Sequence, residues 1–480
     1  MGFLRRFWLV ATGFFCALDK RLLPVQAGIL ATFALVPVWY RFKGAPGDFE
    51  TLYSAGFLIF WPMLWTAGWW LAAGLPGFAA LRRDRIRRLW ALALLLLALW
   101  AFLSGAWAFT RRFAPEVTTG AALPLALAAL FAVVIACAGP PPRLIAGALI
   151  AGAAWNAALA GAQAAVQGSV GLNALGEFRL NPAVSGVAVV QAEGVRWLRP
   201  YGLLPHPNIL AGFLAVALLM TPAWFLSGRF LSGSRRRQAA GMAIFLFGLW
   251  GLLLTFSRGA WLGFAAGAFA GLPLLWRARA AWRRLALVLV LTLAAAGAFA
   301  VLYGPFLAAR AGVGEESIEQ RSVSDRAVYM DFAYRAIRES PLTGVGMGNF
   351  PWRASYYLQF TPYDLRGQPA HHIFLSAWAE LGLIGFALVA LALVMGIEAG
   401  LAAVRKNSWN EPAVHDTLAR AAFLGGIVAL MIIGLLDHYP WTLPHFQALW
   451  WGLLGAAGSQ GLTGTGGAST SGSVPQAPAA

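Results

Sequence analysis

Long apolar segments recur along the chain and alternate with short polar connections. Twelve of them approach the length of about 20 residues that a helix needs to cross the hydrocarbon core of a bilayer. They lie at residues 22–40, 54–76, 89–108, 117–137, 143–163, 207–227, 240–254, 260–276, 284–303, 373–398, 419–436 and 443–457. The pattern predicts an all-α, polytopic membrane protein with about 12 transmembrane helices, of which the seventh and eighth form a tight hairpin.

Two connections are much longer than turns, and loops of such length are usually functional or disordered. The predicted organisation is helices one to five in 1–163, a loop at 164–206, helices six to nine in 207–303, a large loop at 304–371, helices ten to twelve in 372–457, and a disordered cytoplasmic tail at 458–480, rich in Gly, Ser, Thr and Ala. Arg5 and Arg6 precede an apolar stretch without a clear cleavage site, which favours a retained interfacial helix over a signal peptide.

The large loop carries a helical pattern of its own. Apolar residues recur there at steps of three and four, at Ala327, Met330, Tyr334 and Ile337. Ser324 or Asp325 can cap the start of this helix, and Ser340-Pro341 can end it. The pattern predicts an amphipathic helix on the outer membrane face.

The composition excludes most other classes of protein. Hydrophobic residues make up 59% of the chain and charged residues 11%, with a mean hydropathy of +0.67. These values exclude a soluble globular enzyme, a disordered scaffold and a fibrous protein, and the long continuous apolar segments exclude a transmembrane barrel. Cys16 and Cys137 both lie in apolar stretches, so they form neither a disulfide framework nor a metal cluster.

The net charge of +17 is distributed unevenly between the two predicted sides of the membrane. If both termini are cytoplasmic, the inner side carries 21 basic and 5 acidic residues, whereas the outer side carries 15 and 14. This split follows the positive-inside rule. The basic runs are therefore topology signals, and nucleic-acid binding is disfavoured.

Polar residues that suit chemistry cluster at the outer ends of the predicted helices. They are Arg199, His206, Asn208, Arg258, Arg326, His371, His372, Glu380, Asp437 and His438. The helix centres lack the paired charges and broken helices that are typical of secondary transporters. The pattern favours a site at the outer membrane interface.

Arginine is the most informative residue type in this set. Arg258 stands in a tight turn beside Ser257 and Gly259, where the next helix begins, and free N–H groups beside a guanidinium favour phosphate. The alternative is an arginine that reaches towards the lipid headgroups, but such an arginine has little need of the flanking Ser257 and Gly259. Arg326 also lies near a predicted helix start, although it could instead pair with an acidic neighbour. Arg199 precedes the irregular entry into helix six.

Histidines flank the same region. His206 and Asn208 can cap helix six or bind substrate. His371 and His372 end the large loop, and histidine is suited to moving protons near neutral pH. A metal site is disfavoured, because the outer segments contain no HExxH and no Asp-x-Asp pair. The glycine-rich residues 344–348 are interpreted as a turn rather than a nucleotide loop.

Several ordered blocks resemble the O-antigen ligase and O-antigen polymerase superfamily of bacterial envelope glycosyltransferases. The blocks are Thr255-Phe256-Ser257-Arg258-Gly259, Arg326 followed by Pro341-Leu342-Thr343-Gly344-Val345-Gly346, and His371-His372 followed after nine residues by Gly382-Leu383-Ile384-Gly385. His372 departs from the family pattern, which has Asn, Ser or Gln at that position. The resemblance covers residues 160–455 and extends to the number of helices.

The resemblance implies a multi-pass protein of the bacterial inner membrane with its site facing the periplasm or cell exterior. It implies transfer of a glycan from an undecaprenyl-diphosphate-linked donor to the hydroxyl of a glycan, lipid or protein acceptor. The expected catalytic residues are His371, Arg258 and Arg326. Substrate contacts are expected from Arg199, Arg258, Arg326, His206, Asn208 and His372, without a metal or other cofactor.

Other functions remain open at this stage. Within the superfamily, a polymerase or a protein O-glycosyltransferase differs from a ligase in its acceptor. A bicarbonate-like transporter or exporter is an alternative from another class, and so is a non-catalytic factor in envelope assembly.

Overall fold

The computed structural model describes residues 18–40, 57–225, 235–275, 282–312, 317–362, 365–406 and 414–459. The first helices are α1 (Leu23–Leu35), α2 (Phe60–Ala72), α3 (Phe78–Arg83), α4 (Arg85–Leu103), α5 (Glu116–Ala138) and α6 (Pro142–Val166), followed by the hairpin β1 (Val189–Ala192) and β2 (Val195–Leu198). The middle of the chain forms α7 (Pro207–Phe225), α8 (Arg235–Leu254), α9 (Arg258–Gly271), α10 (Trp282–Leu302) and α11 (Gly304–Arg310). The remainder forms α12 (Ser317–Glu339), α13 (Phe350–Leu358), α14 (Ile373–Lys406), α15 (Val414–Gly434), α16 (Tyr439–Thr442) and α17 (Pro444–Gly458).

Each of the twelve predicted apolar segments contains a helix, but not every helix is long enough to cross a membrane. Among the described residues, six helices are sufficiently long and apolar, namely α4 extended to Ala106, α5, α6, α10, α14 and α15. The apolar parts of α1, α7 and α8 are shorter. The chain is therefore a multi-pass, mainly helical protein, whereas the number of twelve spans and the sidedness of the loops stay predictions. The predicted N-terminal helix and residues 460–480 of the tail lie outside the described residues.

Helix α17 forms the centre of the bundle, and α10 lies at its edge. Every residue of α17 is buried, and this helix packs against α5, α14 and α15. In α10 only Phe299 is buried, although this helix has the highest mean hydropathy of the six candidate spans. An apolar helix can remain uncovered by protein because lipid surrounds it.

The first long connection is folded. Its strands β1 and β2 pair antiparallel, with Val189 opposite Leu198. The Glu177 carboxylate accepts hydrogen bonds from the Gln163 amide (2.9 Å) and from the N–H groups of Val170 (2.8 Å) and Leu172 (2.6 Å). These bonds fix the loop on the C-terminal end of α6.

The amphipathic helix of the second connection differs from its prediction. It begins at Ser317, so Ser324 and Asp325 lie inside it and cannot cap it. Its buried face consists of Tyr329, Phe332, Ala333 and Ala336, whereas Ala327 and Tyr334 are exposed. This face packs against α13 and the start of α14. The apolar face is therefore covered by protein rather than by the membrane.

Helix α14 is interrupted near its N-terminal end. Gly382 has φ 67° and ψ −173°, which breaks the helical hydrogen bonding that the sequence pattern predicted to be continuous. The freed carbonyl groups of Ala379 and Glu380 accept hydrogen bonds from Val345 (2.9 Å) and Gly346 (2.8 Å). Re-pairing of this kind allows a broken helix to persist in an apolar environment.

Gly382 should be required for this junction. A Cβ at this position would lie 2.1 Å from the carbonyl oxygen of Leu342, and the positive φ is itself unfavourable for other residues. We expect Gly382→Ala to reduce the free energy of unfolding by about 1–3 kcal/mol or more. Gly297→Ala in α10 is the matched control, since no atom lies within 4 Å of its added Cβ. Thermal unfolding in one detergent measures both variants, and equal unfolding midpoints would contradict the packing argument.

Candidate functional site

A cavity of about 200 Å³ lies where the α8–α9 turn, α11, α12 and the connection between α15 and α16 meet. Three guanidinium groups line it, those of Arg258, Arg310 and Arg326. Asp437 is the one carboxylate among the residues that line it. The lining therefore carries a clear excess of positive charge and suits an anion.

The turn that carries Arg258 has an unusual backbone. Phe256 has φ 51°, a left-handed conformation that is unfavourable for a bulky residue. Its ring is fully buried and contacts those of Phe299 (5.3 Å) and Tyr303 (5.9 Å). Ser257 then enters α9 without a side-chain capping bond, and it lines the cavity together with Arg258. The positive end of the helix dipole thus faces the cavity, as predicted from the sequence.

Arg310 was not identified from the sequence. Its Nε and Nη2 donate hydrogen bonds to the carbonyl oxygen of Phe256 (3.2 and 3.1 Å). In return, Nη1 of Arg258 donates to the carbonyl oxygen of Arg310. The two arginines therefore hold each other and the strained turn in place. Burial, and then the charges of Arg199, Arg258 and Arg326, lower the pKa of Arg310.

Arg326 reaches the cavity from the interior of α12 rather than from its first turn. The predicted contribution of a helix N-terminus at this position is therefore wrong. The guanidinium itself shares the cavity with Arg258, as predicted.

Arg199 lies behind the cavity and does not line it. It is buried, and it donates from Nε to the Thr255 carbonyl oxygen (2.6 Å) and from Nη2 to Oδ1 of Asn208 (2.5 Å). Asn208 in turn donates from Nδ2 to Oδ2 of Asp437 (3.0 Å). Asn208 therefore links the arginine to the cavity carboxylate, and it lines the cavity itself.

The two histidines at helix starts act as caps. Nδ1 of His206 accepts a hydrogen bond from the N–H of Asn208 (3.2 Å) at the start of α7. Nδ1 of His372 accepts one from the N–H of Leu375 (3.2 Å) at the start of α14. Burial, and then the Arg199 charge, lower the pKa of His206 to about 3. His206 is thus a neutral acceptor, which suits a cap.

His371 lies beside the cavity, next to Asp437 and His438. The rings of His371 and His438 are 5.2 Å apart. One potential ligand atom from each of these three residues lies within 4.8 Å of the others, so the group could hold a metal ion. Nδ1 of His371 and the hydroxyl of Tyr439 are buried without a hydrogen-bond partner among the described residues. The sequence included Asp437 and His438 in the polar cluster at the outer helix ends but gave neither a catalytic or binding role.

Burial is the main reason that the ring of His371 is neutral. Burial, and then the charges of His438 and Arg326, lower its pKa to about 4, against a smaller opposing effect of Asp437. Burial would raise the pKa of Asp437, but the positive charges around it outweigh burial and lower that pKa. At neutral pH the site therefore presents an ionised carboxylate beside an imidazole that can accept a proton.

Glu380 connects the segments that surround the site. Its carboxylate is buried and accepts hydrogen bonds from the indole N–H of Trp441 (2.9 Å) and from the backbone of Gly348 and Phe350. Gly344, Gly346 and Gly348 all have positive φ. The glycine-rich segment therefore forms a turn, as predicted, and it surrounds a carboxylate of the chain itself.

Comparisons with known proteins give a family match and a structural similarity. A family model described as O-antigen ligase matches residues 243–390, a segment that includes Arg258, Arg310, Arg326 and His371. No curated protein matches the chain in sequence. Among solved structures, a chain from work on polymerization and crosslinking by a peptidoglycan synthase complex is similar over 77% of this chain and 94% of its own length, with 16% identity and a TM-score of 0.37. The family match shows that residues 243–390 are similar to the O-antigen ligase family, as the sequence blocks indicated.

Proposed function

We propose that the chain transfers a glycan from an undecaprenyl-diphosphate-linked donor to an acceptor hydroxyl on the extracytoplasmic side, in the manner of an O-antigen ligase. The acceptor is the hydroxyl of a glycan, a lipid or a protein. The arrangement that carries this proposal is the arginine-lined cavity beside His371, whose Nδ1 is buried without a partner among the described residues. An anion-binding cavity and an adjacent neutral base are the two elements that this transfer requires.

The donor diphosphate occupies the cavity in this proposal. Arg258, Arg310 and Arg326 surround it, and the first turn of α9 offers backbone N–H groups. The arginines are held together against their mutual repulsion by the folded protein. A bound diphosphate relieves that repulsion, and it gains further stabilisation as negative charge develops on the leaving oxygen.

His371 acts as the general base. The acceptor oxygen bonds to the anomeric carbon while the bond from that carbon to the diphosphate oxygen breaks, with its electron pair passing to the diphosphate. The hydroxyl proton passes to the free imidazole nitrogen of His371. Attack opposite the leaving diphosphate inverts the anomeric centre.

Donor binding also adjusts the strength of this base. Arg326 is one of the charges that lower the pKa of His371. A diphosphate bound to Arg326 offsets that charge and shifts the pKa of His371 upwards, towards the value at which a base works best near neutral pH. The base is thus strengthened when the donor is in place.

His371 and His372 provide a matched pair for testing the base. We expect His371→Ala to lower turnover by about 10²–10⁴-fold, the usual effect of removing a positioned base, while the donor still binds. His372→Ala removes only a helix cap and should be much milder, and His372→Asn should retain the cap. Initial rates and donor binding with a defined lipid-linked donor measure both effects. If His372 proved essential and His371 dispensable, the assignment of the base to His371 would be wrong.

Arg258 should contribute to donor binding as well as to turnover, because the diphosphate is charged before and during transfer. We expect Arg258→Ala to raise KM for the donor and lower kcat, and Arg258→Lys to restore activity only in part, since an ammonium lacks the planar fork. Arg335→Ala is the matched control: this arginine pairs with Glu339 (3.1 Å) elsewhere on α12 and does not line the cavity. Equal kinetics for the Arg258→Ala and Arg335→Ala variants would exclude the cavity as the donor site.

Transfer should not require a metal ion. Arg326 is close enough to lower the pKa of His371, and its charge opposes a divalent cation at His371, Asp437 and His438. The arginines supply the positive charge that a cation would otherwise provide. We expect full activity of the purified protein in a chelator, with elemental analysis of the same sample. If the chelator abolished activity and one added metal restored it, His371, Asp437 and His438 would form a metal site instead.

A further inference from the structure

A group of aromatic side chains is exposed on the outer side of the protein. We define the outer aromatic patch as Phe109, Phe113, Trp352, Tyr356 and Phe360. Phe113 is 62% exposed, Trp352 45% and Phe360 67%. Neighbouring rings contact one another, with centroids 6.0 Å apart for Phe113 and Trp352 and 5.2 Å apart for Tyr356 and Phe360. The side chains form one continuous surface rather than isolated apolar residues.

The position of this patch along the membrane normal is fixed by the ends of two candidate membrane spans. Phe109 and Phe113 belong to the short connection between the span that ends at Ala106 and the one that begins at Glu116. Asn349, immediately before α13, accepts a hydrogen bond from the N–H of Thr110 (2.9 Å) and donates one to the Thr118 hydroxyl (2.8 Å). The N-terminus of α13 is therefore held at the level where α4 and α5 leave the bilayer.

The patch continues the lipid-facing surface of the bundle. Exposed apolar side chains run along the outer half of α4 and reach the patch, at Leu95, Leu96, Leu99, Phe102 and Leu103. Such side chains on a membrane-spanning helix face lipid. Arg111 and Arg112 are exposed between Phe109 and Phe113, where they can meet lipid phosphates.

We propose that the outer aromatic patch is a membrane-contacting surface in which α13 lies in the headgroup region of the outer leaflet. Trp and Tyr are enriched at this depth because one part of each ring system is apolar and another is polar. This assignment differs from the sequence prediction, which placed α12 on the membrane. It depends on which side of the membrane the connection between α4 and α5 faces, and not on the proposed transfer reaction.

Contact with the membrane would also position the site. Tyr357, on the opposite face of α13, packs against Phe332 of α12 (5.4 Å), which packs against Tyr329 (6.4 Å), whose ring lies 6.3 Å from that of His371. The depth of α13 is thereby transmitted through packed rings to α12, which carries Arg326. The cavity is then held near the level of the headgroups, where the diphosphate of a lipid lies.

Spin labelling of the full chain in nanodiscs of phosphatidylethanolamine and phosphatidylglycerol tests this surface. Single cysteines replace Trp352, Phe360 or Tyr334 after substitution of Cys16 and Cys137. Tyr334, 49% exposed on α12, is the matched aromatic control. Collisions of the label with oxygen, which concentrates in lipid, are compared with collisions with a water-soluble nickel complex.

We expect the ratio of oxygen to nickel accessibility to be several-fold higher at positions 352 and 360 than at 334. Equal ratios at the three positions would overturn the proposal, because the patch would then face water. Exclusion of both reagents at 352 and 360 would also overturn it and would indicate a second copy of the chain on the patch. A label at Phe113 provides an independent reading should substitution within α13 disturb the fold.

Discussion

The buried carboxylate of Glu380 is the interaction on which the arrangement of the segments around the cavity depends. It binds the indole of Trp441 at 2.9 Å and the backbone of Gly348 and Phe350. These partners belong to α16, to the glycine-rich segment and to the start of α13, whereas Glu380 itself stands two residues before the break in α14. One side chain thus joins three parts of the chain that are distant in sequence, namely α14, α16 and the continuous stretch from Gly348 to Phe350. A buried carboxylate without these partners would be strongly destabilising, so the segments must assemble together.

The same connection explains why a helix is broken at this position. In an uninterrupted α14, N–H groups of the helix itself would occupy the carbonyl groups of Ala379 and Glu380. The glycine-rich segment would then have no acceptors for its own N–H groups. The break at Gly382 allows that segment to pair with the carbonyl groups of Ala379 and Glu380. His371 at the start of α14 and His438 beside α16 are consequently fixed relative to each other, at a ring separation of 5.2 Å. Rigid placement of this kind is what a positioned base requires.

Sequence reasoning succeeded where a local pattern decides the structure. The turn at Arg258 and the helix start after His372 were predicted because apolar length and turn residues are local signals, whereas the predicted tight hairpin is wrong in that α8 and α9 pack mainly against other helices. The start of α12 was predicted at Ser324 or Asp325 because these residue types are common caps. The helix begins earlier, at Ser317, where the spacing Ser317-x-x-Gln320 is also typical of a helix start.

Tertiary contacts decide the features that the sequence could not predict. Arg310 lies in an ordinary alanine-rich segment, and only its bonds to Phe256 reveal it as a cavity residue. Arg199 and His206 were expected to bind substrate, yet their donors and acceptors are directed to Thr255, Asn208 and the start of α7. Whether a polar side chain faces a ligand or the protein depends on packing between segments, which local patterns do not encode.

A hydrogen-bonded path runs from Arg199 through Asn208 to Asp437, which lies between the arginines and the histidines of the site. The Asn208 side chain accepts from Arg199 with its oxygen and donates to Asp437 from its amide nitrogen. Asp437 lies between Arg326 and the two histidines, and its interactions with them lower its pKa in spite of burial. Without this carboxylate, the guanidinium groups would act on the imidazoles unopposed and weaken the base still further. The carboxylate therefore permits an arginine-lined cavity and a neutral histidine to exist side by side.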